Sequence, residues 1–402
     1  MSAESVTSEL TSDTTGITAP AGFRAAGVAA GLKDSGGRDV ALVVNDGPSK
    51  AAAAVFTRNR ITAAPVLWSR QAVSDGRADA VILNSGGANA CTGSEGFGNT
   101  HATAEKTAEL LGLSASDVLV CSTGLIGVQL PMDKLLAGVE AAAGALSAAA
   151  GADAAHAIMT TDSVAKQAVF TGTDAAGRTY RIGGMAKGAG MLAPGLATML
   201  VVLTTDADLA APDLDQALRS ATAVTFDRTD SDGCMSTNDT VILMASGASG
   251  AVPEAGDFTA GLTQVCLSLA QQLITDAEGA SHDIAVTTVN AATVADAETA
   301  SRAVARSNLF KTAIFGNDPN WGRVLSAVGT TDAAFEPDRI DVVINGVQVC
   351  RNGGIGDPRE NVDLAPRAVH VEIDLHAGTE SATIWTNDLT TDYVHENSAY
   401  SS

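Results

Sequence analysis

Short apolar runs alternate with longer amphipathic or alanine-rich segments along the whole chain. An apolar run of about four to eight residues bounded by turn residues predicts a buried strand, and a longer run that is apolar on one face predicts a helix. No proline- or glycine-rich linker and no obvious repeat interrupts this alternation. Because mixed strands and helices bury their apolar faces against each other, the pattern predicts an α/β (α+β) fold in which helices cover sheets.

The predicted elements extend over most of the chain. Residues 22–33 suggest a strand pair, and Asn99 or Thr100 is the expected cap of the first long helix. Residues 1–20 are expected to fray, whereas Tyr393 and Tyr400 suggest that the polar carboxyl-terminal tail docks. Strands are predicted at residues 39–45, 52–57, 80–83, 117–121, 167–171, 180–185, 198–205, 241–245, 284–289, 340–349, 368–375 and 382–386. Helices are predicted at residues 102–111, 131–150, 154–159, 214–225, 258–277 and 295–312.

The most unusual stretch lies near the middle of the chain, at residues 187–205. Its first half is too rich in glycine and proline for a helix or a central strand. From Thr198 onward the residues are β-branched and apolar, which is typical of a buried strand. A tightly turned loop would therefore bring the Thr198 hydroxyl to the start of a rigid strand, an arrangement suited to a nucleophile or to self-cleavage. From this stretch alone, an ordinary glycine-rich turn entering a core strand remains the alternative.

A threonine hydroxyl is a poor nucleophile unless a base lies beside it. Cleavage of the Ala197–Thr198 bond would supply that base, because the new α-amine of Thr198 could accept the hydroxyl proton. A glycine-rich loop with a small residue before the threonine suits an acyl shift from nitrogen to oxygen, followed by ester hydrolysis. Thr198 would then act first on its own chain and afterwards on a substrate.

Acyl transfer also requires an oxyanion hole. Thr123 and Gly124, at the end of a predicted strand, can offer one hydroxyl and one unhindered backbone N–H; an ordinary strand-terminal turn is the alternative. Lys187 is flanked by small residues that leave it accessible. It could bind an α-carboxylate or polarise the reacting threonine, although most lysines are solvated surface residues.

Two other positions are candidates for substrate contacts. Glu278, before Gly279, could receive a cationic amine, although a glutamate near a helix end is usually structural. Thr160 and Thr161 could orient a substrate by hydrogen bonding, and the alternative for them is the end of a helix before Asp162.

The composition limits the classes of function. With 24 basic and 46 acidic residues, the net charge of −22 argues against nucleic acid or anionic membrane as a partner. No secretory signal and no run of about 20 apolar residues is present, so we expect a cytoplasmic protein. The five cysteines and six histidines are scattered without ligand spacing, so metal catalysis is not expected.

Together these residues resemble the ornithine acetyltransferase family, the self-cleaving glutamate N-acetyltransferases of cyclic arginine biosynthesis. The pattern Lys-Gly-x-Gly-Met-x-Ala-Pro-x-x-Ala-Thr-Met-Leu, at residues 187–200, is highly specific. Residues 228–235 depart from the usual form of their loop, which affects expected substrate preference rather than chemistry. Matching stretches in family order include residues 22–33, 84–93, 122–127, 236–240, 315–323 and 396–402.

The resemblance implies autoproteolysis into an α chain, residues 1–197, and a β chain, residues 198–402, assembled as an α2β2 heterotetramer. It also implies stacked β-sheets flanked by helices, a fold shared with the DmpA-like aminopeptidase and distinct in connectivity from the Ntn hydrolases. The implied reaction is ping-pong: Thr198 takes acetyl from N2-acetyl-L-ornithine, ornithine leaves, and L-glutamate receives the acetyl group. Thr123 and Gly124 would form the oxyanion hole. The implied substrate contacts are Thr160 or Thr161, Lys187, Thr198, Glu278, Asn397 and Ser402.

Several alternatives stay open at this point. Some family members also use acetyl-CoA, and the lack of a basic phosphate patch favours the form that does not. No cofactor is expected, with acetyl-CoA only as an alternative co-substrate. A paralogue of a specialised pathway, namely clavulanate formation, would use the same residues. Interception of acyl-Thr198 by water would give an amidohydrolase or aminopeptidase, and an uncleaved chain would suit a small-molecule binding protein.

Overall fold

We analysed a computed structural model of the chain, which describes residues 9–11, 14–193 and 199–399. These residues form two units. Unit 1 comprises the described residues within 1–189, 195–227 and 235–273, and unit 2 those within 190–194, 228–234 and 274–402. The Ala197–Thr198 bond and Ser402 lie outside the described residues. In the part of the chain that the structure describes, no helix has the length and apolar character needed to cross a membrane.

The described residues of unit 1 form ten strands, five complete helices and most of a sixth helix. The strands are β1 (Glu9–Thr11), β2 (Phe23–Val28), β3 (Val40–Asn45), β4 (Ala52–Phe56), β5 (Ala80–Ser85), β6 (Val118–Thr123), β7 (Lys166–Thr173), β8 (Thr179–Lys187), β9 (Leu200–Thr205) and β10 (Thr240–Ala245). The helices are α1 (Ala64–Ala72), α2 (Gly93–Leu111), α3 (Met132–Gly144), α4 (Gly151–Ala157), α5 (Ala211–Ala223) and α6 (Ala255–Thr275), the last two residues of which belong to unit 2.

The strands of unit 1 form two sheets that pack face to face. The larger has the order β1-β7-β8-β9-β10-β4 and the smaller β2-β3-β5-β6. Val43 and Leu83 of the smaller sheet share one buried core with Val202 and Ile242 of the larger. Apolar residues of α2 and α3 pack against the smaller sheet in a second core, and α6 packs against β8 of the larger sheet, at Gly184. The predicted architecture, stacked sheets flanked by helices, is therefore confirmed within unit 1.

Unit 2 contains a single sheet among its described residues, with helices packed on it. Its strand order is β14-β13-β12-β15-β11-β16, and the core between sheet and helices is rich in valine and isoleucine. Its strands are β11 (Asp283–Ala291), β12 (Asp341–Ile344), β13 (Val347–Arg351), β14 (Gly354–Ile355), β15 (Ala368–Asp374) and β16 (Glu380–Asn387). Its helices are α7 (Val294–Ala305), α8 (Asn308–Phe315), α9 (Trp321–Val328) and α10 (Thr391–Ala399).

Several predictions for the first half of the chain were wrong in detail. Residues 22–33 contain one strand, β2, which pairs with β3 rather than with a second strand of its own. The helix predicted at 102–111 begins at Gly93, and the Thr100 hydroxyl donates to the Gly96 carbonyl inside that helix instead of capping it. The helix predicted at 131–150 ends at Gly144, and α1 was not predicted. Among residues 1–20, β1 pairs with β7 and Ile17 is fully buried, so the described part does not fray.

Two predictions for the second half merged elements that are separate. The helix predicted at 295–312 is interrupted, because the Ser307 side chain accepts the Phe310 N–H and begins α8. The strand predicted at 340–349 is a hairpin, with β12 and β13 joined by Asn345-Gly346 at φ +45° and +82°. An Asn-Gly pair with positive φ is the typical two-residue hairpin turn.

Candidate active site

The ends of two parallel strands place Thr123 and Gly124 in unit 1. β5 and β6 pair in register, and the Thr123 carbonyl accepts the N–H groups of Gly86 and Gly87 at 2.9 and 3.0 Å. Gly124 has φ +133°, and a Cβ atom there would lie 2.5 Å from the Gly87 nitrogen. Only glycine fits this conformation, so the backbone next to the Thr123 hydroxyl carries no side chain. This arrangement suits the predicted oxyanion hole.

Lys187 forms hydrogen bonds both to the predicted oxyanion donor Thr123 and to the predicted substrate contact Thr160. It is the last residue of β8, and its ammonium group donates to Thr160 Oγ1 at 2.7 Å and to Thr123 Oγ1 at 3.3 Å. Lys187 is 2% exposed, so the prediction of an accessible loop lysine was wrong. Because Thr123 Oγ1 accepts from Lys187, the hydroxyl hydrogen of Thr123 can donate to another group. Lys187 thus orients one candidate oxyanion donor and adds positive charge beside it.

Asp162 holds this lysine and the surrounding backbone in place. Its Oδ1 accepts from Lys166 Nζ and from the Gly188 N–H, each at 2.6 Å, and its Oδ2 accepts the Thr160 N–H at 2.9 Å. Lys187 Nζ lies 3.9 Å from Oδ2. One carboxylate therefore contacts the backbone of Thr160, Lys166 at the start of β7, and the Gly188 N–H directly after β8.

Three ionisable side chains are buried next to each other at this site. The side chains of Asp162 and Lys166 are 0% exposed and that of Lys187 is 2% exposed. Burial would raise the pKa of Asp162, but the ammonium groups of Lys187 and Lys166 outweigh it and lower that pKa to about 2. Asp162 is therefore ionised at neutral pH, and it faces the ammonium groups of both Lys166 and Lys187. An ammonium group buried beside the candidate oxyanion donor suits an anionic group of a substrate or transition state.

A second set of predicted residues meets in unit 2. Asn397 on α10 donates through Nδ2 to Glu278 Oε2 at 2.9 Å. A Cβ atom at Gly190 would lie 2.7 to 2.8 Å from the carboxyl atoms of Glu278, so glycine is required for the backbone to approach that carboxylate. This close contact explains why the central motif has glycine at position 190. It also places the Glu278 carboxylate against the loop that precedes Thr198 in the sequence.

The carboxyl-terminal helix docks through the turn that follows α6. The Thr390 hydroxyl donates to the Gly279 carbonyl at 2.6 Å and accepts the Tyr393 N–H at 2.9 Å. Gly279 has φ +63°, and a Cβ atom there would lie 2.2 Å from the Tyr393 nitrogen. Burial, assisted by nearby acidic groups, raises the pKa of Tyr393 to about 12. The docking suggested by Tyr393 is therefore confirmed, whereas Tyr400 lies outside the described residues.

The structure separates the two predicted threonines. Thr160 is half-buried and bonded to Lys187, whereas the side chain of Thr161 is exposed. Thr123, Gly124, Thr160 and Lys187 come together in unit 1, and Glu278 and Asn397 in unit 2. The predicted cleavage bond between Ala197 and Thr198, and the predicted contact Ser402, belong to residues that the structure does not describe.

Sequence reasoning missed the roles of Asp162 and Lys166. Lys166 is the first residue of β7 and pairs with Ala186, beside Lys187 on β8. Two lysines at one end of a hairpin whose strands are otherwise largely apolar would have been a usable signal, because buried cations require an acidic partner. Asp162 was noted only as a helix terminator.

Comparison with known proteins gives a consistent family match. The model of the ArgJ family matches residues 24–402. "Arginine biosynthesis bifunctional protein ArgJ" of Streptomyces coelicolor is 65% identical over 386 residues, which cover 96% of this chain and 100% of that protein. The protein of the same name from Thermobifida fusca is 63% identical, covering 96% and 99%. A chain of the ornithine acetyltransferase of Mycobacterium tuberculosis, solved with ornithine, is 56% identical and covers 48% of this chain and 100% of its own, at a TM-score of 0.45.

Proposed function

This chain belongs to the ArgJ family, and from that premise we propose how its residues perform acetyl transfer. It is an acyltransferase of arginine biosynthesis that moves acetyl from N2-acetyl-L-ornithine to L-glutamate. We propose that it first cleaves its Ala197–Thr198 bond, which gives an α chain of residues 1–197 and a β chain that begins at Thr198. The new α-amine then serves as the base for the threonine hydroxyl.

The first half-reaction forms an ester. The Thr198 Oγ attacks the acetyl carbonyl, the amide C–N bond breaks, and ornithine leaves after its amine takes the proton held by the Thr198 amine. In the second half-reaction the glutamate amine attacks the acetyl-Thr198 ester and restores the hydroxyl. Thr123 and Gly124 stabilise the negative oxygen in both steps, with one hydroxyl and one backbone N–H.

We propose one contact for each charged group of the substrate. The Lys187 ammonium group, bonded to the candidate oxyanion donor Thr123, suits the α-carboxylate common to acetylornithine and glutamate. Thr160 rather than Thr161 contacts the substrate, because its hydroxyl is bonded to Lys187. Glu278, oriented by Asn397, suits the cationic side-chain amine of ornithine, and Ser402 is proposed as a further contact.

We further propose that the two chains assemble as an α2β2 heterotetramer in the cytoplasm. The reaction needs no cofactor and no metal, since acyl transfer to a threonine uses only proton transfer and an oxyanion hole. Acetyl-CoA as a second acetyl donor is the alternative, and it is favoured by the relatives that carry the name bifunctional. Formation of N-acetylglutamate from acetyl-CoA and glutamate, without acetylornithine, tests that alternative.

The observation that carries the proposal is the bridge from Lys187 to Thr123 and Thr160. Intact mass under denaturing conditions, beside Thr198→Ala, tests the nucleophile. We expect two fragments with the second beginning at Thr198, one added acetyl group on that fragment after acetylornithine, and an uncut 40.4 kDa chain for the variant. An uncut wild-type chain would refute the mechanism and favour a binding protein, and acetate release without glutamate would favour a hydrolase.

A matched pair of variants tests the bridge itself. Thr123→Val removes a hydroxyl bonded to Lys187, whereas Thr179→Val removes one that is exposed at the opposite end of β8. Loss of one oxyanion donor is expected to lower kcat about 10² to 10³-fold, with little change for the exposed position. Equal kcat values for the two variants would contradict the role given to Thr123.

A further inference from the structure

Residues 238–240 hold the chain immediately after Thr198. Asp239 precedes β10, which runs parallel to β9, and its Oδ1 accepts the Met199 N–H at 3.1 Å. The Thr240 N–H donates to the Met199 carbonyl, also at 3.1 Å. Both polar backbone groups of Met199 are therefore fixed by neighbouring residues of a single segment.

The same segment holds the strand end that carries the candidate oxyanion hole. Asn238 Nδ2 donates to the Ala88 carbonyl at 2.6 Å and to the Ser122 carbonyl at 2.8 Å. Ser122 is bonded through its peptide to Thr123. Asn238 and Asp239 are 5% and 0% exposed, so water does not compete for these hydrogen bonds. Met199 and Ser122 are thus held by side chains that are adjacent in sequence, those of Asp239 and Asn238.

Burial governs the ionisation of Asp239. Oδ2 is buried and makes no hydrogen bond to the described residues. Burial raises the pKa of Asp239 well above its usual range, although the Met199 N–H, the Ser236 and Thr57 hydroxyls and the charge of Lys187 act in the opposite direction. Burial therefore favours the neutral acid, in which Oδ1 can still accept the Met199 N–H.

We propose that Asp239 is a positioning residue: it holds the Met199 N–H while Asn238 holds the strand end at Ser122, so the backbone that carries the Thr198 nucleophile is fixed at Met199 relative to Thr123 and Gly124. This inference rests on the proposed function of Thr198. Once the Ala197–Thr198 bond is cut, Thr198 is covalently attached only through Met199. The hydrogen bonds on Met199 then replace the lost attachment, and a displacement of about 1 Å can lower the rate about 10²-fold.

A pair of variants separates the hydrogen bond from the charge. Asp239→Asn keeps an acceptor oxygen and is neutral, so we expect autocleavage and kcat within about threefold of wild type. Asp239→Ala loses the acceptor, so we expect slow cleavage and, in chains that have cleaved, a kcat lowered about 10²-fold with KM little changed. A purely structural role would instead lower the amount of folded protein without this split between kcat and KM.

The protonation state has its own readout. A difference infrared spectrum at neutral pH, wild type against Asp239→Asn, should show the C=O stretch of a protonated carboxylic acid. Absence of that band, or an Asp239→Asn kcat as low as that of Asp239→Ala, would overturn the inference, and so would wild-type kinetics in both variants. If Asp239→Ala does not fold, the asparagine variant and the spectrum decide alone.

Failure of the proposed function gives a different pattern. If the wild type neither cleaves nor becomes acetylated, the nucleophile itself is wrong and the Asp239 variants are not needed to show it. If the wild type cleaves and transfers acetyl while the Asp239 variants depart from the expected pattern, only the positioning role fails.

Discussion

Replacing Asp162 by asparagine tests the charge balance of the site. The substitution keeps the shape of the side chain and an acceptor oxygen, but it leaves the ammonium groups of Lys166 and Lys187 without their shared carboxylate. We would make it in a Thr198→Ala background. The chain then stays whole, and its unfolding can be treated as that of one polypeptide.

The expected loss of stability follows from two considerations. A pKa lowered from 3.8 to about 2 corresponds to about 2 kcal/mol of unfolding free energy at neutral pH. Removing one partner of a buried ion pair costs more, about 3–5 kcal/mol, because the ammonium group stays buried after losing its bonded carboxylate. The second effect should dominate, since Lys166 Nζ lies only 2.6 Å from the altered atom.

The pH dependence of stability tests whether ionised Asp162 stabilises the fold. A carboxyl whose folded pKa is lowered stabilises the fold above its unfolded pKa, and this contribution is lost as pH falls through the folded value. The difference in unfolding free energy between the parent chain and the Asp162→Asn variant should therefore be full at pH 7 and shrink between about pH 4 and pH 2.

Urea unfolding at pH 7 and pH 3 measures both quantities. Asp215→Asn is the matched control, because Asp215 pairs with Arg219 on the exposed side of α5. An exposed pair contributes about 0.2–1 kcal/mol, so the control should lose little. A loss for Asp162→Asn no larger than that of the control, or one that does not shrink with acid, would refute the reasoning.

Three further substitutions test the geometry. Gly124→Ala should lower the free energy of unfolding by about 1–3 kcal/mol and should lower kcat, because alanine is strained at φ +133° and its Cβ meets Gly87. Urea unfolding and transfer kinetics measure these two effects, and wild-type values would contradict the prediction. Gly190→Ala should displace the Glu278 carboxylate and raise the KM for acetylornithine more than it lowers kcat, and an unchanged KM would remove Glu278 as the amine contact. Thr160→Val should weaken substrate binding about tenfold through the loss of a charge-assisted hydrogen bond, measured as KM, and equal KM values for Thr160→Val and wild type would contradict the assignment.

The strands were predictable because their periodicity is local. The apolar runs that became β3, β4 and β10 begin within one residue of the predicted starts. Helix ends that depend on side-chain hydrogen bonds were not predictable from the apolar pattern. Nothing in the apolar pattern distinguishes Ser307, which caps α8, from a serine inside a longer helix, and the beginning of α2 at Gly93 has no apolar signal.

The site residues divide in the same way. The order of glycine and threonine in the central motif was enough to propose Thr198 and Lys187, and the glycine that follows a predicted strand was enough to propose Thr123. Neither pattern was enough to choose between Thr160 and Thr161, since the choice depends on which hydroxyl the end of β8 approaches. Asp162 joins β7 and β8 through a local contact to Lys166, four residues away, and a distant one to Gly188, 26 residues away. The distant contact is not encoded by any spacing in the sequence.

The ionisation of the buried acids shows why tertiary contacts decide the chemistry. Asp162 and Asp239 are both nearly excluded from water, at 7% and 0% exposure of the whole residue, yet the pKa of the first is lowered and that of the second is raised. Asp162 faces two ammonium groups directly, whereas Asp239 is approached by the Met199 N–H and by neutral hydroxyl groups. An ion pair offsets the cost of burying a carboxylate, and neutral donors offset less of it. Asp162 therefore stays charged beside Lys187, the lysine that orients Thr123, whereas burial favours the neutral form of Asp239 at the backbone of Met199.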